Sequence, residues 1–220
     1  CGYALAVKYP ATLFISWLTS FVVSLTLAFL LYGKPAWSVV LAPVFAVVEG
    51  TFLGAFTALA DQILAQNKLS VMGGVGIQAF VVTSACALSV LGLYRMGWIK
   101  PTRGLAAVVR AGILALFVTY MISFALSFFG VHMPFVTFYS AVTAKGTMGF
   151  IGLGVNLLIL GLASLTLVMD LGMVEQNVSN RAPKYMEWYC AYALLVTLAW
   201  IYYEAVKLVV RVAILFGNRK

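Results

Sequence analysis

The chain has 220 residues, of which 64% are hydrophobic and 9% are charged, and its mean hydropathy is +1.05. A globular domain is roughly half apolar and about one quarter charged, so this composition excludes a water-soluble enzyme. The formal net charge of +8 comes from 14 basic and six acidic residues. Because most of the basic residues lie at the ends of apolar runs, they indicate contact with anionic lipid headgroups rather than with nucleic acid.

Long apolar runs follow one another along the whole chain. Since about 20 apolar residues make one crossing of a bilayer, the sequence predicts six transmembrane helices. They cover residues 11–32, 37–60, 71–94, 105–129, 148–172 and 186–214. No long linker divides them, so we expect a single all-α domain over residues 1–220, a polytopic transmembrane helix bundle. The segment 130–145, which contains His132 and Pro134, is predicted to be a loop or a short interfacial helix.

The first acidic residue of interest is Glu49, near the middle of the second predicted helix. A carboxylate at the bilayer centre costs roughly 2–3 kcal/mol or more, so we expect it to face the bundle interior, a partner or water. Gly50 and Gly54 form a GxxxG face, which would let another helix approach closely. Glu49 is therefore either a protonated structural residue or, as we favour, a residue with a functional role.

A second acidic pair is formed by Asp170, which ends a strongly apolar run, and Glu204, about two-thirds of the way along the last predicted helix. If they lie close together, two carboxylates repel each other when both are ionised and share a proton over some pH range. Such a pair would act as a pH-responsive latch. The spacing leaves an alternative open, in which Asp170 reaches an interface and Glu204 pairs with Lys207 at i+3, with Arg211 following at i+7.

Other patterns argue against catalysis and a bound cofactor. The single histidine, His132, excludes a multi-histidine metal site and disfavours a serine or cysteine triad. The glycine runs at 73–76 and 149–154 begin apolar spans with no strand before them, which indicates helix packing rather than phosphate binding. We therefore expect no enzyme activity, no catalytic residue, no resident metal and no cofactor. Among the remaining acidic residues, Asp61 is predicted to lie in a loop, and Glu175 and Glu187 flank the turn that contains Arg181 and Lys184. All three are interpreted as solvated surface residues that form ion pairs.

Three blocks of sequence resemble a known family. They are Leu41 to Ala55 around Glu49, Leu93-Tyr-Arg-Met-Gly97, and Asp170 to Glu204, in which Pro183-Lys-Tyr-Met-Glu-Trp-Tyr189 is the most specific part. In these blocks the chain resembles the bacterial-type branch of the Bax-inhibitor family, also called the transmembrane Bax inhibitor motif family, and the similarity spreads over nearly all 220 residues. The resemblance implies a seven-helix fold with the last helix at its centre. Since the sequence predicts six spans, we expect the family's first helix to be missing or to lie upstream of Cys1.

The resemblance also implies a function. It implies a pH-sensitive calcium leak, in which two acidic residues on the sixth and last helices share a proton and control the pore. By local motif these positions fall on Asp170 and Glu204, although the better-studied members usually carry aspartate at the second position. Lys34 would be the loose counterpart of a basic residue that latches the closed state in some members. With Glu49, the two acidic positions form the predicted ion pathway and pH sensor, through which Ca²⁺ would pass transiently.

A second hypothesis is a non-conducting assembly or regulatory subunit that binds a larger membrane complex or a protease, because protease-regulating roles occur among similar family members. A third, an intramembrane protease, lacks the signature sequences of aspartyl intramembrane proteases. The expected location is the bacterial inner membrane or a eukaryotic organelle membrane, either of the endoplasmic reticulum or the mitochondrial inner membrane. The expected partners are the lipid bilayer with its anionic lipids and a further membrane protein.

Overall fold

The computed structural model describes residues 11–69, 71–127, 129–130, 138–144 and 146–217. Its helices are α1 (Ala11–Gly33), α2 (Ser38–Gln66), α3 (Gly74–Arg95), α4 (Arg103–Ser127), α5 (Phe138–Thr143), α6 (Gly146–Ser179) and α7 (Tyr185–Phe216). A short 3-10 turn, Pro35–Trp37, connects α1 to α2. This part of the chain contains no strand, which confirms the all-α prediction. His132 lies outside the described residues.

Five of these helices, α2, α3, α4, α6 and α7, are long and apolar enough to cross a membrane. The six predicted spans correspond to these five helices and α1, whose segment Val22–Leu31 is also apolar. The segment predicted as a loop or short helix contains α5, which packs against α6 and α7. The polytopic helix bundle expected from composition is therefore confirmed.

Two predicted helix ends were wrong by more than a turn. α2 continues past residue 60 to Gln66, and α6 continues past residue 172 to Ser179. The prediction ended each helix where the apolar run ended, but backbone hydrogen bonding does not need apolar side chains, and alanine, glutamine and glutamate are good helix formers. Asp61 therefore belongs to a helix and not to a loop. Its Oδ1 accepts a hydrogen bond from the backbone N–H of Val75 at 2.8 Å, near the N-terminus of α3, where helical N–H groups lack intrahelical partners.

The last helix, α7, lies at the centre of the described bundle. It packs against α2, α3, α5 and α6, and it has the largest buried share of the five candidate spans. The main apolar core joins one stretch of α7 to α2 and α3 through Phe56, Ala60, Val75, Ala79, Ala205, Val206 and Val210. The central position that the resemblance implied for the last helix is confirmed. α4, by contrast, packs against α6 and is largely exposed.

The glycine runs act in helix packing, as predicted, although only at some positions. A Cβ atom added at Gly76 would lie 3.0 Å from Cγ2 of Thr57, and one at Gly149 would lie 2.5 Å from Cδ2 of Leu215. These two glycines allow α3 to approach α2 and α6 to approach α7. A Cβ added at Gly154, within the second run, would meet no atom within 4 Å.

Candidate functional site

One face of α7 carries polar side chains at a regular spacing. Thr197, Glu204 and Arg211 follow one another at intervals of seven residues, which is about two helical turns and places them on the same side of the helix. All three are buried, although this helix is a candidate membrane span. With their neighbours they form a row of polar groups between α6 and α7. We call this row the polar line: Asn156, Asp170, Thr197, Glu204, Lys207 and Arg211.

The centre of the polar line is the Glu204 carboxylate, which has no solvent-accessible surface. Its Oε1 lies 2.7 Å from Nζ of Lys207, one helical turn further along α7. Its Oε2 accepts a hydrogen bond of 2.7 Å from Nδ2 of Asn156 on α6, which also donates to the Glu204 carbonyl at 3.3 Å. Because an isolated buried charge is very costly, this ion pair and its amide donor are what allow a carboxylate at this depth.

Aromatic side chains enclose the other half of the ion pair. The Lys207 side chain is 2% exposed. Its ammonium group lies 5.0 Å from the centroid of the Tyr203 ring and donates to the Tyr120 hydroxyl of α4 at 3.5 Å. Tyr203 in turn stacks on Phe56 of α2, with ring centroids 4.7 Å apart. A ring face attracts a cation through its quadrupole. Residues from several helices therefore shield this cation from lipid and water.

Arg211 lies one turn beyond Lys207 and is also almost completely buried. Its Nη2 donates to the Ser140 hydroxyl of α5 at 3.3 Å. The guanidinium group covers Gly152 of α6, where an added Cβ would lie only 1.8 Å from Nη1. The two basic residues therefore occupy the α6–α7 interface together, and the second one requires glycine on the opposite helix.

Asp170 occupies another level of the polar line. It is half-buried, and its Oδ2 accepts a hydrogen bond of 2.5 Å from Oγ1 of Thr197. Thr197 precedes Glu204 by seven residues, about 10 Å along the helix axis. Asp170 and Glu204 therefore have separate hydrogen-bond partners in the described chain. Direct sharing of a proton between them stays a prediction.

Glu49 lies on a different side of α7 from the polar line. It is half-buried on α2, and its Oε2 accepts a hydrogen bond of 2.6 Å from the Ser20 hydroxyl of α1. It also lines a cavity between α2, α3 and α7, to which Leu195 and Leu198 contribute. The structure does not join Glu49 by a hydrogen bond to Asp170 or to Glu204 within its described residues, so its place in an ion pathway stays a prediction.

A family model described as Bax inhibitor 1 like matches residues 2–213 of the chain. The chain belongs to the Bax inhibitor family. No curated protein and no solved structure matches it significantly. Family membership and the apolar helices together make the chain an integral membrane protein.

The remaining predicted site residues of this Bax inhibitor family member have few contacts. The Lys34 side chain is exposed, and its ammonium lies 4.9 Å from the Trp37 ring centroid, so a role as a latch stays a prediction. Gly50 is exposed, and a Cβ added there would meet no atom within 4 Å. No other helix of the described chain therefore approaches closely at Gly50. Gly54 is half-buried, and its predicted packing role is untested.

Two of the six residues of the polar line, Asn156 and Thr197, were not predicted from the sequence. Asn156 was a detectable signal, because it is a polar residue inside an apolar run. The seven-residue spacing of Thr197, Glu204 and Arg211 could also have been read from the sequence. The positions of Tyr120 and Ser140 could not, because they come from helices whose packing is a tertiary property. Among the described residues, no three histidine, cysteine, aspartate or glutamate side chains come together as a metal site.

Proposed function

We propose that this protein is a proton-sensitive cation leak pathway in a cellular membrane, with Ca²⁺ as its principal ion. The observation that carries the proposal is the polar line, which holds three buried charged residues in one candidate membrane span, α7, and the half-buried Asp170 in another, α6. Ionisable residues at membrane depth are rare because they are costly, and they commonly mark ion or proton routes. Ca²⁺ prefers oxygen ligands, and Asp170, Glu204 and Thr197 would supply them without forming a high-affinity cage.

The ion pair of Glu204 with Lys207 would correspond to the closed state of this pathway. A passing cation would have to replace the Lys207 ammonium, which already neutralises the carboxylate at 2.7 Å. Among the described residues, the other titratable or charged groups beside this pair are Tyr203 and Arg211 of α7 and Tyr120 of α4. From α6 it meets the amide of Asn156, which does not titrate.

Acidification should open the pathway. Protonation of Glu204 would remove the only negative charge next to two buried cations, Lys207 and Arg211, in the described part of this cluster. Like charges repel strongly where the effective dielectric constant is low. The α6–α7 packing would therefore loosen as the pH falls, and the leak should increase.

A Ca²⁺ flux assay in proteoliposomes across acidic and neutral pH tests the proposal. Glu204→Gln should conduct at neutral pH and respond little to acid, because it resembles the protonated carboxyl. Asp170→Asn should lower the flux, because it removes a charged oxygen ligand. Glu187→Gln, an exposed carboxylate at the start of the same α7, is the matched control and should behave like wild type. Equal flux in all four proteins, or flux no higher than in empty liposomes, contradicts the proposal.

The alternative is a non-conducting assembly or regulatory subunit of a larger membrane complex or protease. The observation that favours it is the exposed apolar surface of α4, which includes Leu114, Phe117 and Phe124. Either lipid or another membrane protein could cover this surface. Purification with one membrane partner in a stoichiometric ratio, combined with no ion flux, would support the alternative. Neither proposal includes a catalytic step or a resident cofactor, and both place the chain in the bacterial inner membrane or in an organelle membrane.

A further inference from the structure

A cavity of about 520 Å³ lies between α2, α3 and α7, away from the polar line. Its wall is largely made of apolar side chains, among them Leu53, Phe80, Leu88, Leu195 and Leu198. The volume is within the range of roughly 300–1,000 Å³ that is typical of small-molecule sites. The cavity can therefore hold an organic ligand with a substantial apolar part.

The cavity opens toward the surface that lipid would cover. Phe80 is 65% exposed and Leu88 is 68% exposed, and both belong to α3, a candidate membrane span. Gly50 is exposed on the α2 side of the same cavity. A ligand would therefore enter from the hydrocarbon phase of the bilayer rather than from water.

Glu49 is the charged residue among the described side chains that line this cavity. Two of the lining hydroxyl groups already have partners, because Thr83 donates to the Ala79 carbonyl at 2.8 Å and Tyr202 is hydrogen-bonded to Thr57 at 3.0 Å. The carboxylate accepts one hydrogen bond from α1 and can accept more, since two carboxylate oxygens offer about four acceptor positions. The Glu49 carboxyl group and the apolar walls together determine which ligands the cavity can select.

We propose that this cavity binds an amphiphile with one apolar chain and a protonated primary amine, of the long-chain alkylamine class. The ammonium group would neutralise Glu49 and form charge-assisted hydrogen bonds with it, while the chain covers the leucine and phenylalanine side chains. An anionic headgroup would be repelled by the carboxylate. A hydrated metal ion would lose its water against an apolar wall, which is costly. The proposal does not depend on ion conduction.

The space beside Gly50 provides room for the amine. Gly50 directly follows Glu49, and apart from its chain neighbours and its own helix backbone no atom of the described chain would lie within 4 Å of a Cβ added there. Because Gly50 lines the cavity and its Cβ position is open, we expect a larger side chain there to occupy part of the cavity beside Glu49. Gly154 is the matched control, because it is also an exposed helical glycine with no atom within 4 Å of an added Cβ, and it does not line the cavity.

The experiment measures binding of radiolabelled dodecylamine and of dodecanol to the protein in nanodiscs of zwitterionic lipid, with empty nanodiscs subtracted. Wild type and Gly154→Leu should bind the amine equally, and Gly50→Leu should lose it. Glu49→Gln should bind the amine about tenfold more weakly, because it loses a charge-assisted hydrogen bond, and should bind dodecanol as wild type does.

Two results would overturn the proposal. One is equal binding of dodecylamine and dodecanol to wild type, which would mean that the carboxylate does not select the ligand. The other is equal amine binding in wild type, Glu49→Gln and Gly50→Leu, which would place the amine elsewhere in the bilayer. Helicity and elution volume of each nanodisc sample establish that the variants are folded. Ca²⁺ flux measured on the same purified proteins after reconstitution into liposomes separates a failure of this proposal from a failure of the leak.

Discussion

Glu204 and Glu49 are both carboxylates well inside apolar helices, yet their surroundings differ. Glu204 is fully buried and forms an ion pair with Lys207 in the centre of the bundle. Glu49 is half-buried, accepts a hydrogen bond from Ser20, and lines a cavity that opens toward lipid. The difference follows from the two helices, because α7 is surrounded by other helices whereas α2 leaves part of its surface exposed. A central helix can supply a counter-charge from within the protein, and a peripheral one leaves room for an external ligand.

The largest expected loss of stability is at the ion pair of Glu204 and Lys207. Lys207→Met removes the ammonium partner of the Glu204 carboxylate, which stays buried. Breaking a buried ion pair in this way costs about 3–5 kcal/mol. We expect the free energy of unfolding, measured by denaturant titration in mixed micelles, to fall by this amount. The double variant Lys207→Met with Glu204→Gln removes both charges and should recover most of the loss. A single variant as stable as wild type would show that the pair does not neutralise Glu204.

The second largest loss of stability is expected where the Arg211 side chain packs against α6. Gly152→Ala places a methyl group where the guanidinium now lies, and overpacking of this kind costs about 1–3 kcal/mol. The matched control is Gly154→Ala, which meets no atom and should gain up to about 1 kcal/mol, because alanine favours helices over glycine. The same unfolding titration compares the two. Equal stability of both variants would contradict the close contact between Arg211 and α6.

Asp61 is a third carboxylate to compare with Glu204 and Glu49, and its partner is a backbone N–H at the start of α3. Asp61→Ala removes the acceptor for the Val75 N–H and should destabilise the protein by about 1 kcal/mol, as loss of a helix cap does. Asp61→Asn keeps an acceptor oxygen and should lose less. Amide hydrogen exchange at the start of α3 should increase in the alanine variant. If exchange there stays unchanged, the hydrogen bond contributes little to the helix end.

The smallest loss of stability is expected from removing the hydrogen bond that Glu49 accepts. Ser20→Ala removes one interhelical hydrogen bond, and such bonds are worth about 0.6 kcal/mol on average in membranes. The unfolding titration should therefore show a small loss, and Ser24→Ala, one turn further along α1, should show none. A loss as large as that of Lys207→Met would mean that Glu49 depends on the protein interior as strongly as Glu204 does.

The fold was largely predictable because its signal is local. Apolar runs of bilayer length identified the helices, and the predicted ends were wrong by more than one turn only where α2 and α6 continue beyond the apolar part. The polar line was predictable in part, since the positions of Asp170, Glu204 and Lys207 along the helices could be read directly. The partners of these residues could not, because a hydrogen bond such as Asn156 to Glu204 joins residues 48 positions apart.

The sequence by itself determined that this protein is a membrane helix bundle and that a few carboxylates lie at depths where charge is costly. These are properties of composition and of distance along one helix, which a single segment defines. Only the tertiary structure decided how each carboxylate is stabilised, with Lys207 and Asn156 at Glu204 and Ser20 and an open cavity at Glu49. The physical reason is that the cost of burying a charge depends on the local apolar surroundings, whereas the groups that offset it come from whichever helices pack beside it.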